Sequence, residues 1–385
     1  MDWKAKVKAE VEAKSPILKQ LALEIGEHPE LGFDEHNASR LLQAALKKGG
    51  YEVEAGLAGL KTAFRGRLGV PGKPNAALLC EYDALPEIGH ACGHNLIGAA
   101  SVGAALGLAP FLQELGGQLT VLGTPGEETG AGKALLVKAG VFEEVDAALM
   151  FHPSSQNILI STSNALDAYE FIFRGKPAHA ADSPEEGINA LDGVIQFFNG
   201  LNALRQHLDE RIRFHGIITE GGQAPNIVPD KAVARFYLRA PRRDLLDALL
   251  EKVLAAARGA ALTTGSAVYW RQFEPSNDNL VTNRALALAF GANLQELGVA
   301  EIEEYAEGKG SSDMGNVSHV VPAIHPYLSI GAGLTAHTPQ FAEASLSPAG
   351  IKTAVVAAQA LAMTVVDLFT NPSLLEAVQK EFEER

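Results

Sequence analysis

The chain has 385 residues, 47% of them hydrophobic and 20% charged, with a formal net charge of -14 at pH 7. That length exceeds a usual single domain, so two domains are expected, and the composition suits a protein that buries a full core. The acidic balance speaks against a nucleic-acid surface, which needs clustered positive charge, and two cysteines are too few for a disulfide scaffold.

In chain order, Val7, Val11, Ile17, Leu18, Leu21 and Ile25 recur at helical spacing and predict a first helix over about residues 2 to 27. Its start, Met1-Asp2-Trp3-Lys4-Ala5-Lys6, leads into mixed charge and not an apolar run, so no signal peptide and a cytoplasmic location are expected. A second helix is expected over about 35 to 48. Buried strands follow at Leu78 to Glu81, Leu119 to Leu122 and Ala147 to Phe151, alternating with helices at about 95 to 113 and 131 to 140. Cys80 ends the apolar run Ala76-Ala77-Leu78-Leu79-Cys80 and reads as a core thiol. The most apolar stretch, Leu96 to Leu112, is broken by Ser101 and Pro110; a buried helix explains it better than a membrane span, and no membrane partner is expected. This alternation predicts an α/β fold with a mixed, mostly parallel sheet.

After about residue 165 the pattern changes. A strand at Tyr169 to Arg174 is followed by a helix at about 185 to 208, strands at Arg213 to Thr219 and Ala232 to Arg239, a helix at about 243 to 258 and a strand at Ala267 to Phe273. That order is the split βαβ, ferredoxin-like pattern of a small inserted α+β domain. Residues after about 275 return to α/β character, with helices at about 282 to 297 and 347 to 369. The expected division is therefore 1–165, 166–274 and 275–385, the first and last forming one domain.

Five segments carry chemistry: Gly89-His90-Ala91-Cys92-Gly93-His94-Asn95, Gly126-Glu127-Glu128-Thr129-Gly130, Phe151-His152-Pro153, Lys176-Pro177-Ala178-His179-Ala180 and Ala336-His337-Thr338-Pro339. The first three follow predicted strands, and ligands of open α/β sheets gather outside the carboxyl ends of strands. Cys92, His94, Glu127, Glu128 and His152 can therefore converge. Thiolate, imidazole and carboxylate are ligand types of divalent transition metals, and this set suffices for two ions. Taken singly, His152 reads as a structural histidine and Glu127-Glu128 as a solvated turn; their joint placement at strand ends favours a metal site. Neighbouring side chains on an extended segment point apart. One glutamate is then expected to ligate, and the other to take a proton from metal-activated water, whose pKa falls toward about 7.

These residues, with Glu81-Tyr82-Asp83-Ala84-Leu85-Pro86, Thr124-Pro125-Gly126-Glu127-Glu128 and Gly175-Lys176-Pro177-Ala178-His179-Ala180, resemble the M20 metallopeptidases over nearly the whole chain and in the same order. The amidohydrolase branch is the closer match. Within it, His90 to Asn95 and Ser312-Asp313-Met314-Gly315-Asn316-Val317-Ser318-His319 look most like the group of the aminobenzoyl-glutamate hydrolase B subunit. The resemblance implies a metal-dependent hydrolase of C–N amide or peptide bonds in small dipeptides or N-acyl amino acids. One or two divalent ions per subunit are implied, zinc or manganese first, cobalt or nickel otherwise. Cys92, His94, Glu128, His152 and His337 become the ligands and Glu127 the general base, with Asp83, His90 and Asn95 behind them. Residues 166–274 become a lid and dimerisation domain inserted into the catalytic domain. A homodimer would bring His179 to the partner's site to stabilise an oxyanion. Asn226, in Gly222 to Asp230, together with Arg239 and Asp313, is expected at the substrate, though each also reads as structural. Many members of the branch carry Asp after Cys-Gly-His; Asn95 removes that charge and is expected to weaken or retune a second metal site.

Two other readings stay open from the residues. One is a catalytically silent or partner-dependent subunit on the same fold. The other is a thiol hydrolase using Cys92, which no Gly-x-Ser-x-Gly-like elbow supports.

Overall fold

The computed structural model describes residues 2–72, 74–308 and 310–385. The chain divides into two compact units: Ser163–Asn279, and the flanking segments up to Thr162 and from Leu280.

Helix α1 (Trp3–Glu27) buries Val7, Val11, Leu18, Leu21 and Ile25 as one stripe, and Asp2 caps it by accepting from the Ala5 N–H. Ile17, expected in that stripe, is 41% exposed. One residue along a helix turns a side chain by about 100°, and Leu18 takes the core-facing position. Next come α2 (His36–Lys48), β1 (Glu52–Ala55), β2 (Phe64–Gly69), β3 (Asn75–Cys80), α3 (His94–Leu108), α4 (Leu112–Leu115) and β4 (Gln118–Gly123). The single turn α5 (Glu127–Gly130), α6 (Gly132–Lys138), β5 (Ala147–Leu149), β6 (His152–Ser154) and β7 (Asn157–Ser161) close the first segment. The smaller unit holds β8 (Ala165–Arg174), α7 (Ala190–Leu204), β9 (Arg213–Glu220), β10 (Lys231–Ala240), α8 (Arg243–Thr264) and β11 (Ala267–Asn277). The last segment adds α9 (Arg284–Glu296), β12 (Ile302–Ala306), α10 (Met314–Ser318), β13 (Ala323–Ile324), β14 (Tyr327–Ser329), α11 (Pro339–Leu346), α12 (Pro348–Thr370) and α13 (Pro372–Glu383).

The larger unit is built on a sheet ordered β1-β2-β4-β3-β5-β13. Strands β4, β3, β5 and β13 run parallel, while β2 pairs antiparallel with β4 and β1 with β2. This is the mixed, mostly parallel α/β sheet that the sequence predicts. Every residue of β3 and β5 is buried, as parallel strands covered on both faces require. Every residue of α3 is buried too, which accounts for its apolar composition. The 94–115 and 348–370 helical stretches are long and apolar enough to cross a membrane by length and composition, yet most of the apolar 18-residue window in each is buried inside the fold.

A second sheet, ordered β12-β7-β14-β6, was not legible in the sequence. Its strands are three to five residues long, too short for a pattern to declare itself. The expected strand Ala147 to Phe151 ends at Leu149, and His152 opens β6, paired in register with Tyr327 of β14.

In the smaller unit, an antiparallel sheet ordered β11-β8-β10-β9 packs with α7 and α8 around Phe171, Phe197, Phe236 and Leu249. Strand, helix, strand, strand, helix, strand is the ferredoxin-like order expected.

Candidate metal centre

The chain leaves the carboxyl ends of β3, β4 and β5 in three loops that carry Glu81 to His94, Thr124 to Glu128 and Met150 to His152. Gly93, at the start of α3, has φ +80, and a Cβ there would lie 2.5 Å from Pro153 Cγ. Only glycine allows that backbone and that approach, which together set the His94 end of α3 against the His152 end of β6.

One donor atom each from Cys92, His94 and His152 lies within 4.8 Å of the others, and so it is for Cys92, Glu128 and His337. Cys92 belongs to both sets, and thiolate, imidazole and carboxylate are donor types that would hold a divalent metal. His94, Glu127 and Glu128 form a third grouping of the same tightness. Glu81, Glu127 and Asp313 form a fourth, but an ammonium already serves it: Lys133 Nζ lies 2.5 Å from Glu81 and 2.6 Å from Asp313.

The histidines are oriented as ligands need to be. His94 Nδ1 donates to Asp83 Oδ1 at 2.9 Å, with the Asp83 carbonyl at 3.1 Å. Its Nε2 is buried, makes no hydrogen bond among the described residues, and lies 3.3 Å from Glu81 Oε2. A ring locked at one nitrogen by a carboxylate, with the other left open, fits a metal ligand. His152 Nδ1 donates to the Pro153 carbonyl at 2.8 Å, which directs Nε2 to Cys92 Sγ at 3.4 Å. His337 holds φ +63, outside the ordinary range for a side-chain-bearing residue. Its N–H donates to the Ala91 carbonyl at 2.8 Å, and its Nε2 lies 3.2 Å from Glu128 Oε1.

The protonation pattern follows from burial against neighbouring charge. Burial pushes His152 down to about 4, so that ring is neutral. Burial opposes a charge on His94, but Asp83, then Cys92 and Glu81, outweigh it and raise the ring well above its usual value. A cation at Nε2 would replace that proton. Burial pushes the Cys92 thiol up, the reverse of what a free nucleophilic cysteine needs.

The adjacent glutamates differ sharply. Burial raises Glu127 well above the carboxylate range, with Glu81, Asp313 and Glu128 adding to it and Lys133 opposing. Burial also works against Glu128, but the His337 hydrogen bond and the charges of His94 and His337 hold it near 2. The premise of an extended segment was wrong, because Glu127 and Glu128 open a one-turn helix. They separate by the helical step, and their surroundings set them apart.

Three further residues expected at the site differ in what they touch. Asn95 Nδ2 donates to the carbonyls of Ala22 at 3.1 Å and Ser345 at 3.5 Å, joining α3 to α1 and α11. An aspartate could not donate there, so Asn95 reads as a helix tie rather than a retuned metal neighbour. Asp313, expected at the substrate, is fully buried, and Lys133 occupies both its oxygens through Nζ and through the backbone N–H at 2.8 Å. His90 is buried and belongs to no donor set among the described residues, yet it lies within the field of His94 and Asp83, behind the ligands as expected; burial, with His94 adding and Asp83 opposing, pushes it down to about 3.

His179, Asn226 and Arg239 belong to the smaller unit. His179 Nδ1 accepts from the N–H groups of Ala181 at 3.3 Å and Asp182 at 3.1 Å, so the neutral ring carries its proton on Nε2. The Ala180 N–H donates to the Asn226 carbonyl at 3.0 Å, and His179 bridges Ile227, so His179 and Asn226 are held as neighbours. Arg239 lies on β10 opposite Leu166 and Arg213.

Sequence reasoning missed Lys133, whose place in an ordinary-looking helix gave no signal. It also missed His325 and Tyr327, whose rings lie 5.2 and 5.3 Å from that of His152. Glu81 stood inside a quoted motif, which was the available hint.

Residues 163–264 match the family model of the peptidase dimerisation domain. The chain is 41% identical to the Xaa-Arg dipeptidase of Mus musculus over 382 residues, covering 95% of this chain and 88% of that one. It is 31% identical to the B subunit of the p-aminobenzoyl-glutamate hydrolase of Escherichia coli K12, covering 97% and 93%. A dinuclear metal-binding M20 peptidase from Bacillus subtilis has the same fold, with a TM-score of 0.71 at 21% identity over 93% of this chain and 99% of that one.

Proposed function

This chain belongs to the M20 metallopeptidase family and is a metal-dependent hydrolase of amide and peptide bonds, and on that premise we propose that it cleaves short dipeptides or N-acyl amino acids with Glu127 as general base. The observation that carries this reading is the pair of donor triads sharing Cys92, with a high-pKa carboxyl at their side. Cys92, His94, Glu128, His152 and His337 would hold one or two divalent ions, zinc or manganese first; once bound, these polarise the scissile carbonyl and activate the attacking water.

The protein's own groups do the rest. Glu127 takes the water's proton and passes it to the leaving amine. A carboxyl raised toward neutrality suits both halves of that transfer. Glu128 stays ionised, as a ligand must, and Asp83 keeps His94 in the tautomer that leaves Nε2 open. The Nε2–H of His179 is the donor proposed for the developing oxyanion, supplied across a homodimer formed through the inserted domain. The dimerisation-domain match supports that dimer, as does β9, an edge strand whose Ile217 and Ile218 are 66% and 43% exposed. Asn226 and Arg239 are the proposed substrate contacts.

The relatives suggest two substrates to try: a dipeptide ending in arginine and p-aminobenzoyl-glutamate. The test of the base is Glu127→Gln. It should keep its metal and lose about 10²- to 10⁴-fold in kcat; parent-like turnover removes Glu127 from the role. The likeness to one component of the p-aminobenzoyl-glutamate hydrolase favours a second reading, a chain active only with a partner. Turnover by the purified chain alone rejects it.

A further inference from the structure

The mechanism above gives no part to Glu35, a carboxylate with no exposed surface at the start of α2. Its Oε1 accepts the Gly126 N–H at 2.8 Å, and its Oε2 accepts the Thr62 hydroxyl at 2.8 Å. Gly126 directly precedes Glu127, so this bond holds the peptide from which the base-bearing turn begins.

The residues just before Glu35 grip the same turn from the side. A Cβ on Gly32 would lie 2.0 Å from Thr129 Oγ1 and 2.9 Å from Gly126 Cα. Phe33 holds φ +68, which costs a bulky residue energy unless its surroundings enforce it. Its ring covers the turn so closely that a Cβ on Gly126 or Gly130 would come within 2.9 or 2.1 Å of it. Both ends of the segment are anchored. The Ala84 N–H donates to the Glu30 carbonyl at 2.8 Å, and the Glu30 carboxylate accepts the N–H groups of Asn37 and Ala38 at 2.9 Å. Ala84 follows Asp83, which itself accepts the Glu128 N–H at 2.9 Å. The turn carrying both glutamates is thus held from two sides, by Asp83 and by Glu35.

We propose that residues 30–35 form a strap that positions the Glu127 turn, with Glu35 as the positioning residue. The proposal rests on Glu127 being the base. Its consequence is geometric: a displacement of about 1 Å in a reacting group costs on the order of 100-fold in rate. A glutamine in its place keeps an oxygen to accept the Gly126 N–H, and its NH2 can donate to the Thr62 hydroxyl oxygen, so the arrangement is preserved, whereas a methyl group does not preserve it.

The experiment measures kcat, KM and bound metal for Glu35→Ala, Glu35→Gln and Phe33→Ala, with Glu127→Gln as control, on whichever short amide the parent turns over. Glu35→Ala should lose roughly 10- to 100-fold in kcat, with KM changed less than about twofold and metal content unchanged. Glu35→Gln should recover kcat to within about threefold of the parent, a rescue that general destabilisation does not produce. Folded, metal-loaded Glu35→Ala with the parent's kcat overturns the proposal, and so does a Glu35→Gln as slow as the alanine variant. If Glu35→Ala fails to fold, Phe33→Ala decides: a tenfold lower kcat supports the strap, and an unchanged kcat overturns it. Parent-like turnover in Glu127→Gln refutes the base itself. Loss in that control beside unaffected Glu35→Ala and Phe33→Ala refutes the strap alone.

Discussion

Replacing Glu35 by Gln should stabilise the larger unit, and by an amount that depends on pH. Burial, with the charge of Asp83 adding, raises this carboxyl from 4.5 to about 7 against hydrogen bonds that pull it down. In the unfolded chain the group titrates near 4.5, so between pH 4.5 and about 7 the folded protein holds a proton that the unfolded chain has released. The stability it contributes is complete below the unfolded pKa and is lost as pH rises through the folded one. At 1.36 kcal/mol per pH unit, the loss is at most about 3 kcal/mol. Glutamine keeps the acceptor for the Gly126 N–H and has no charge to bury, so its stability has no such slope. The variant's advantage over the parent should therefore grow by up to about 3 kcal/mol from pH 5 to pH 8. Urea unfolding of the metal-free proteins measures this. The two units need not unfold together, so the comparison belongs in a Trp270→Phe background, where Trp3 alone reports the larger unit. An advantage that is flat between the two pH values to within about 0.5 kcal/mol refutes the reasoning.

Other outcomes follow from the same structure. Cys92→Ala should lower metal content more than His152→Ala or His337→Ala, because Cys92 serves both triads and each histidine one; elemental analysis of the purified variants reads this directly. Lys133→Met leaves Glu81 and Asp313 buried without their shared cation. It should cost about 3–5 kcal/mol in urea unfolding at pH 7. Asn95→Asp should lower the melting temperature and leave metal stoichiometry unchanged, since the side chain ties helices and its replacement cannot donate to Ala22 and Ser345. A gain of bound metal in Asn95→Asp returns that position to the metal site.

Strands β3 and β4 and helix α3 were legible because burial on every side leaves a continuous apolar run, and that run is itself the signal. Strands β6, β7, β12 and β14 were not, because three to five residues hold too little pattern, and their pairing joins segments that lie on either side of the smaller unit in sequence. At the site, Cys92, His94, Glu127, Glu128 and His152 stood out by chemical type and by their place after strands. The helix tie made by Asn95 was not legible, because it directly follows site residues in the sequence; one step along α3 turns its Nδ2 toward carbonyls of α1 and α11.

Residue type and periodicity by themselves determined the α/β class, the inserted ferredoxin-like unit and the inventory of thiol, imidazole and carboxylate groups, because each is written in a short stretch of chain. The tertiary structure alone decided which charges neutralise one another and what holds the base. Lys133 meets Asp313 across 180 residues and Glu35 meets Gly126 across 91. A buried charge takes its stability from whatever lies within a few ångströms of it, and the folding of the sheet, not the order of the chain, brings those partners to it.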